Sequence, residues 1–336
     1  MNSILQNNPN LWKFNMQNSQ QNTREKKVES YLKARIDERM SVEEFTQFPQ
    51  YLEIETINTC NARCSMCTIE DWDRPLIRMS DEMFEDIAKQ LVPHRHLLKD
   101  VSLYKDCEPL IDKKLADRIA YLKLLKINNV GISTNVSLLN EKKAVDILEA
   151  GIDKIILSID SLKKDVFERI RLGLNFEVVM ENALRFIELR DKIKPETKIR
   201  IRMIDLPENA GEWSDYFSFW EPKLGNKDIC DMRRYHNWGG QLKRKHAIKQ
   251  IDFSELPCTS LWTKVVIHAD GTIPLCSVDF HKLYPLGDLK TQSIQEIWQA
   301  SIVEKFRSLH AAGMRGNNKL CLTCNVWDDM DVWKKA

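Results

Sequence analysis

The sequence has almost no net charge, no long apolar run and no signal-peptide pattern. Its 50 lysines and arginines against 49 aspartates and glutamates give +1 at pH 7, which argues against bulk electrostatic binding to nucleic acid or membranes. No stretch reaches the roughly 18 apolar residues of a membrane-spanning helix. The N-terminus, MNSILQNNPNLWKFNMQNSQQN, is polar and lacks the apolar core of a signal peptide. We therefore expect a cytoplasmic protein without nucleic-acid or membrane partners.

Disulfide bonds are not expected either, although the chain has nine cysteines, because the cytoplasm keeps thiols reduced. The cysteines are unevenly placed: three at 60, 64 and 67, four at 258, 276, 321 and 324, and two isolated ones at 107 and 230. Clustering of this kind indicates metal or redox chemistry.

The sequence predicts three regions. Residues 1–48 form an N-terminal extension. Residues 49–225 alternate short β-like runs, such as YLEIETI and KIILSID, with helical stretches, such as DEMFEDIAKQLV. Ser80 and Asn140 are predicted N-caps, and Gly151 is a predicted helix end. At least five strands in β/α alternation predict a parallel sheet with right-handed crossovers, as an open or partial barrel.

Residues 226–336 have a different character. VVIHADGTIPLCS predicts a β-hairpin with Asp270 and Gly271 at its turn. SIQEIWQASIVEKFRSLH predicts one helix that begins at a capping box of Ser293 and Glu296.

Cys60, Cys64 and Cys67 follow directly after the first β-like run, which places them at the C-terminal end of the first strand. In parallel β/α folds this end of the sheet usually carries the chemistry. A four-iron cluster normally takes four thiolates, so three would leave one iron open to a ligand. A structural zinc site usually has four protein ligands, and no fourth is near in sequence. An iron–sulfur cluster and a zinc site completed from elsewhere both remain open on this evidence.

This C-x3-C-x2-C loop resembles that of the radical S-adenosylmethionine (SAM) superfamily. In that family SAM chelates the iron without a cysteine ligand, and its cleavage gives a 5′-deoxyadenosyl radical that abstracts hydrogen from a substrate. Further motifs match at successive strand ends: Glu108-Pro109, Ser133-Thr134-Asn135, Ser158-Ile159-Asp160, and RIRLGLNFEVVMEN with Arg171. Cys107 and Val136 stand where the family usually has glycine. The resemblance covers about residues 50–205 and implies a partial parallel (β/α)6 barrel.

The resemblance also implies a SAM pocket. A carboxylate suits the cationic amino group of SAM, and an arginine suits its carboxylate. The residues that the resemblance assigns to this pocket are Met66, Glu108, Thr134, Asn135, Ser158, Asp160 and Arg171.

The second cysteine group, Cys258, Cys276, Cys321 and Cys324, ends in C-x2-C, which is also common in four-thiolate zinc sites. Behind a radical SAM core it resembles a twitch domain, a shortened form of the SPASM domain that holds one auxiliary [4Fe–4S] cluster. The expected fold is therefore a barrel followed by an auxiliary-cluster domain with a β-hairpin and a helix. A cluster with four protein ligands serves electron transfer or structural support.

Substrate contacts are expected in CDMRRYHNWGGQLKRKH, which concentrates Arg233, Arg234 and His236, although this segment could also be a linker. His236 is a candidate base. On the barrel strands, Arg200 and Arg202 share one face, but the sequence does not reveal whether it is the inner one; Lys105 is a further candidate. Cys107 and Cys230 are candidate hydrogen donors, or else packing residues.

The cysteine arrangement resembles that of the 2-deoxy-scyllo-inosamine dehydrogenase family. This implies two [4Fe–4S] clusters, SAM and an electron donor such as flavodoxin or ferredoxin. The expected reaction is two-electron oxidation of an alcohol on a sugar-like or cyclitol-like molecule, with the auxiliary cluster as electron acceptor. Three alternatives remain: a radical epimerase with a cysteine hydrogen donor, a peptide (RiPP) maturase, for which the extension looks short, and a non-catalytic zinc-binding protein.

Overall fold

The structure is a computed structural model that describes residues 19–72, 74–242 and 255–326. The strands are β1 (Tyr51–Ile54), β2 (Arg63–Cys64), β3 (Asp100–Ser102), β4 (Val130–Thr134), β5 (Lys154–Ser158), β6 (Arg171–Leu172), β7 (Lys198–Asp205), β8 (Ile229–Arg234), β9 (Lys264–Ile267), β10 (Thr272–Pro274) and β11 (Pro285–Asp288). The α-helices are α1 (Ser19–Arg35), α2 (Val42–Gln47), α3 (Asp81–Leu91), α4 (Leu115–Leu124), α5 (Glu141–Glu149), α6 (Lys164–Ile170), α7 (Phe176–Ile193), α8 (Trp213–Trp220), α9 (Ser260–Thr263), α10 (Ile294–Trp298), α11 (Ser301–Ala311) and α12 (Lys319–Leu322).

Seven parallel strands form the main sheet, in the order β8-β7-β5-β4-β3-β1-β9. Six of them alternate with helices along the chain, which confirms the predicted (β/α)6 arrangement. The sheet is curled. Burial, Arg200, Lys198 and Lys264 together lower the pKa of Lys154 to about 7, yet three strands separate Lys154 on β5 from Lys264 on β9. By strand register, both side chains lie on the same face of the sheet, the inner face of a partial barrel.

The two faces of the sheet differ in polarity. The outer face packs against the helices and is apolar, as at Ile201 and Met203, which are 0% and 1% exposed. On β7 the alternate positions Arg200 and Arg202 point to the inner face. The apolar outer face drives folding, and the polar inner face lines the space where a substrate can lie.

The N-caps, the helix end and the capping box that the sequence predicts are confirmed. Ser80 and Asn140 accept hydrogen bonds from the first turns of α3 and α5, and Gly151 follows α5 with φ of +91°. The capping box of Ser293 and Glu296 is also present. The single helix predicted after it is instead two helices, α10 and α11, separated by residues 299–300.

The predicted hairpin over residues 265–277 differs in its strand pairing. Its turn is present: Gly271 N donates to His268 O at 2.9 Å, with Gly271 at φ +88°. However, β9 pairs in parallel with β1, and β10 pairs in antiparallel with β11. The edge of β1 offers unpaired backbone groups, and β9 satisfies them.

The predicted domain boundaries at 48/49 and 225/226 stay predictions. The described part of the extension forms α1 and α2, and Phe45 of α2 is fully buried. Strand β8 continues the parallel sheet beyond residue 225. Among the described residues, no helix is long and apolar enough to cross a membrane.

Candidate active site

The first cysteine loop is held against the end of the barrel by a short ladder. Strand β2, which contains Cys64, pairs in antiparallel with β6, so that Cys64 lies opposite Arg171. Burial, with smaller contributions from neighbouring carboxyl groups and thiols, raises the pKa of Cys60 to about 11 and that of Cys67 to about 12. Three thiols gathered in a water-poor site need a cation to become thiolates, and the irons of a cluster supply that charge.

The Glu108 carboxylate is buried beside this loop and anchors two strand ends. Its Oε1 accepts from Thr134 Oγ1 at 2.8 Å and from Leu110 N at 3.1 Å, and its Oε2 accepts from Asn135 N at 2.7 Å. Burial raises the pKa of this carboxyl, and these hydrogen bonds offset part of the rise. A carboxylate has about four acceptor positions, so Glu108 retains room for one further donor, such as an amine.

Arg171 and Asp160 form a buried ion pair on the other side of the loop. Arg171 Nε donates to Asp160 Oδ2 at 2.6 Å, and Arg171 Nη1 lies 3.8 Å from Cys64 Sγ. Asp160 Oδ1 accepts from Ile204 N at 2.7 Å. Both oxygens of Asp160 are therefore occupied by the protein, which makes Asp160 a positioning residue for Arg171.

Asn135 is a further residue that contacts the first cysteine loop. Its Nδ2 donates to Asn61 Oδ1 at 2.9 Å and lies 3.8 Å from Cys60 Sγ. Ser158 Oγ lies 3.3 Å from Ser133 Oγ at the same end of the sheet. All the residues expected in a SAM pocket are thus at this end of the barrel: Met66, Glu108, Thr134, Asn135, Ser158, Asp160 and Arg171.

The second group of cysteines surrounds one cavity. It is lined by Cys258, Cys276, Cys321 and Cys324, together with His310, Arg315 and five other residues. The thiols of Cys258, Cys321 and Cys324 add to the effect of burial in raising the pKa of Cys276. Among the described residues, no group of three or more His, Cys, Asp or Glu side chains is arranged to hold a single metal ion. Four thiols facing one cavity fit the ligand set of an iron–sulfur cluster.

The loop that carries Cys276 is organised by Asp279, which is fully buried. Its carboxylate accepts from Leu283 N at 2.7 Å, from Tyr284 N at 2.9 Å and from Leu275 N at 3.4 Å. Three backbone bonds to one buried carboxylate fix the loop, because removing any of them would leave an oxygen of the buried Asp279 with one donor fewer.

Residues 235–241 connect the two cysteine sites. Trp238 Nε1 donates to Met66 O, within the first cysteine loop, at 3.3 Å. Asn237 N donates to Asn325 Oδ1 at 2.9 Å, and Thr323 Oγ1 donates to Gly239 O at 3.0 Å. This segment therefore packs against both cysteine loops and lies between them.

Sequence reasoning missed a buried ionic network beside the first loop. Arg74 forms a two-pronged ion pair with Glu55, at 2.9 Å to each oxygen, and its Nη1 lies 2.8 Å from His268 Nδ1. Asp106 Oδ1 accepts from Thr68 Oγ1 at 3.2 Å, and its Oδ2 lies 3.5 Å from Arg74 Nη2. The one available signal was the charged Glu55 inside an apolar strand-like run.

The remaining residues that were predicted to contact the substrate do not all lie at one place in the structure. Arg233 lies on the inner face with Asp231, whereas Cys230 and Arg234 occupy the alternate, outer positions of β8. Cys230 is near Tyr216 of α8, whose pKa it helps to raise. His236 follows β8, with its ring 6.5 Å from that of Trp238. Cys107 precedes Glu108, and Lys105 Nζ pairs with Asp106 Oδ1 at 2.7 Å.

Two family models match the chain. A model described as the radical SAM superfamily matches residues 54–214, and the SPASM model, described as an iron–sulfur cluster-binding domain, matches residues 258–325. Together they cover about two thirds of the sequence, and each contains one of the cysteine sites. The chain carries a radical SAM domain and an iron–sulfur cluster-binding SPASM domain. This radical SAM protein carries a SAM-binding cluster and an auxiliary [4Fe–4S] cluster, which decides against zinc at both sites.

Curated relatives match over part of their length. The GTP 3′,8-cyclase of Limosilactobacillus fermentum is 25% identical over 183 residues, which are 53% of this chain and 52% of that protein. That of Clostridium acetobutylicum is 32% identical over 181 residues, which are 46% of this chain and 56% of that protein. The chain spans about half the length of the curated relatives it matches.

Solved structures share the fold over most of the chain. BtrN, solved in complex with AdoMet and 2-DOIA, has a TM-score of 0.58 at 20% identity, covering 83% of this chain and 93% of that one. Streptococcus suis SuiB, bound to precursor peptide SuiA, has a TM-score of 0.61 at 18% identity, covering 85% of this chain and 72% of that one. At these identities the likeness establishes the fold of this radical SAM protein.

Proposed function

We propose that this radical SAM enzyme oxidises an alcohol of a hydroxylated small molecule to a carbonyl, with the auxiliary cluster as electron acceptor. The observation that carries the proposal is the complete set of four thiols around one cavity, against three thiols at the SAM side. A cluster with four protein ligands has no open iron for a substrate, so its roles are electron transfer or structural support, and the proposal assigns it electron transfer.

The substrate space in this proposal is the inner face of the barrel, between the two cysteine sites. The side chains of Glu53, Tyr104 and Ser158 remain partly exposed there, at the C-terminal end of the sheet. They offer donors and acceptors that suit hydroxyl groups. The ring of Trp238 offers a flat apolar surface for the C–H side of a small ring.

Oxidation of an alcohol to a carbonyl releases one hydrogen atom, one electron and one proton. When bound, SAM supplies the radical that takes the hydrogen atom, and the auxiliary cluster takes the electron. The chain must accept the proton, and we assign this role to His236, which adjoins Trp238.

The test compares the reconstituted wild type with a Cys321→Ala/Cys324→Ala variant, under reducing conditions with SAM. Aminocyclitols, sugars and GTP form the substrate panel, and products are followed by mass spectrometry. We expect the wild type to convert an alcohol with loss of two hydrogens. The variant should still form 5′-deoxyadenosine but lose the carbonyl product. Cys230→Ser is the matched control, because Cys230 lies on the outer face.

Two outcomes would contradict the proposal. One is carbonyl formation by the variant at the wild-type rate. The other is cyclisation of GTP by the wild type with no alcohol oxidised. GTP is included because curated relatives are named GTP 3′,8-cyclases.

Radical epimerisation is the second candidate, and the position of Cys107 favours it. The pKa of the Cys107 thiol is raised, first by burial and then by neighbouring groups that include Glu108 and Cys60. Cys107 therefore lies beside the expected SAM pocket. If Cys107 returns a hydrogen to the substrate, the product formed in D2O carries one deuterium and is not oxidised. Cys107→Ala would abolish that product, whereas an oxidised product without solvent deuterium would exclude this candidate.

A further inference from the structure

The inner face of the barrel holds three arginines around one aspartate. Arg202 on β7 is the register partner of Asp231 on β8, and Arg200 and Arg233 lie on the same face of the sheet. The Nε atoms of Arg200 and Arg202 are 3.8 and 3.6 Å from Asp231 Oδ1, and Arg233 Nε is 2.8 Å from Asp231 Oδ2. Burial lowers the pKa of Arg200 to about 10, and Arg202 and Arg233 contribute to this effect. Three positive groups thus lie around the carboxylate of Asp231.

Each of the lysines near the inner face forms an ion pair with a carboxylate. Lys264 Nζ lies 2.6 Å from Glu53 Oε1, Lys105 Nζ pairs with Asp106, and Lys154 pairs with Asp100. In the arginine group, the Nε atoms of Arg200 and Arg202 lie farther from Asp231 Oδ1 than hydrogen-bond distance.

Arg202 lies near the C-terminal end of the sheet, two residues before Ile204, the register partner of Arg233. Its register partner is Ser158, at the C-terminal end of β5, and its positive charge offsets part of the rise that burial causes in the pKa of Tyr104. Arg202 Nε and Nη2 are buried, and neither has a hydrogen-bond acceptor among the described residues. Buried donors of a charged group are costly to leave without an acceptor.

We propose that Arg202, supported by Arg200 and Arg233, binds an anionic group of the substrate, a carboxylate or a phosphate. A guanidinium presents parallel N–H donors that match two oxygens of either group. The inference deepens the proposed function, since it rests on the substrate lying inside the barrel. It narrows the substrate class to hydroxylated molecules that carry a negative charge.

The carboxylate of SAM is the other anion that could reach Arg202, so the experiment separates the two. Anaerobically reconstituted holoenzyme, saturated with SAM, is titrated at low ionic strength with inorganic phosphate and, separately, with malonate. Binding is followed by the rise in melting temperature, because a ligand that binds only the folded state stabilises it. The dissociation constant of SAM is measured in parallel by equilibrium dialysis. The variants are Arg202→Gln, Arg202→Lys and, as a control with the same loss of charge, Arg95→Gln at an exposed position.

We expect at least one anion to stabilise the wild type and Arg95→Gln equally, and the stronger of the two identifies the group as carboxylate or phosphate. Arg202→Gln should raise the dissociation constant of that anion at least about tenfold, which corresponds to the loss of one charge-assisted hydrogen bond. Arg202→Lys should recover part of the affinity, and SAM binding should stay unchanged in every variant.

Three results would overturn the inference: no stabilisation of the wild type by either anion, equal stabilisation of Arg202→Gln, or loss of SAM binding in Arg202→Gln. The anion titration requires no turnover. An enzyme that binds the anion through Arg202 but oxidises no alcohol would therefore refute the proposed reaction and leave this inference intact. An enzyme that oxidises an alcohol but does not bind the anion through Arg202 would refute only the inference.

Discussion

Asp160→Asn should loosen the first cysteine loop. Asp160 is fully buried, and its two oxygens accept from Arg171 Nε at 2.6 Å and from Ile204 N at 2.7 Å. An asparagine has one carbonyl oxygen, so its amide N–H groups would face one of these two donors. Arg171 would also lose its counter-charge. Breaking a buried ion pair by removing one partner costs about 3 to 5 kcal/mol.

A loss of that size should lower the melting temperature by about 6 to 10 °C, at about 2 °C per kcal/mol for a chain of this length. Thermal unfolding of the reconstituted protein, followed by circular dichroism without oxygen, measures it. Asp165→Asn removes the same charge from an exposed pair with Arg169, whose ion-pair distance is 3.9 Å, and should leave the melting temperature unchanged. If the two variants melt within about 2 °C of each other, the reasoning is wrong.

Three further variants address other parts of the site. Glu108→Gln should raise the dissociation constant of SAM at least about tenfold, because one of the three donors to the carboxylate would face an amide N–H; an unchanged constant in equilibrium dialysis would argue against this role. Asp279→Asn should lower the iron count from about eight to about four per chain while SAM cleavage persists, since it weakens the loop that carries Cys276; about eight irons would contradict this. Trp238→Phe removes the hydrogen bond to Met66 O and should slow substrate turnover but not 5′-deoxyadenosine formation without substrate; wild-type turnover would show that the bond has no such role.

The sequence predicted those parts of the molecule that depend on local patterns. The cysteine spacing after the first strand, the N-caps at Ser80 and Asn140 and the motifs at successive strand ends all lie within short segments. Parallel strands carry their ends to one edge of a sheet, so strand order was enough to gather Glu108 and Arg171 around the first loop.

The contacts that the sequence did not predict depend on packing between segments that are distant in the chain. Glu53 meets Lys264 across 211 positions, and Trp238 meets Met66 across 172, and no local pattern encodes either contact. Periodicity placed Arg200 and Arg202 on one face of a strand, but the curl of the sheet decides that this face is the inner one. The pairing of β9 with β1 was missed because the Asp270-Gly271 turn favoured a hairpin.

The central claim is that the chain holds two [4Fe–4S] clusters, one of which cleaves SAM. Anaerobic reconstitution followed by iron and sulfide analysis tests it most directly, in the wild type and in a variant with Cys60, Cys64 and Cys67 changed to alanine. We expect about eight irons per chain in the wild type and about four in the variant, with 5′-deoxyadenosine formed only by the wild type. Equal iron counts in the two proteins, or no SAM cleavage by a reduced wild type, would contradict the account.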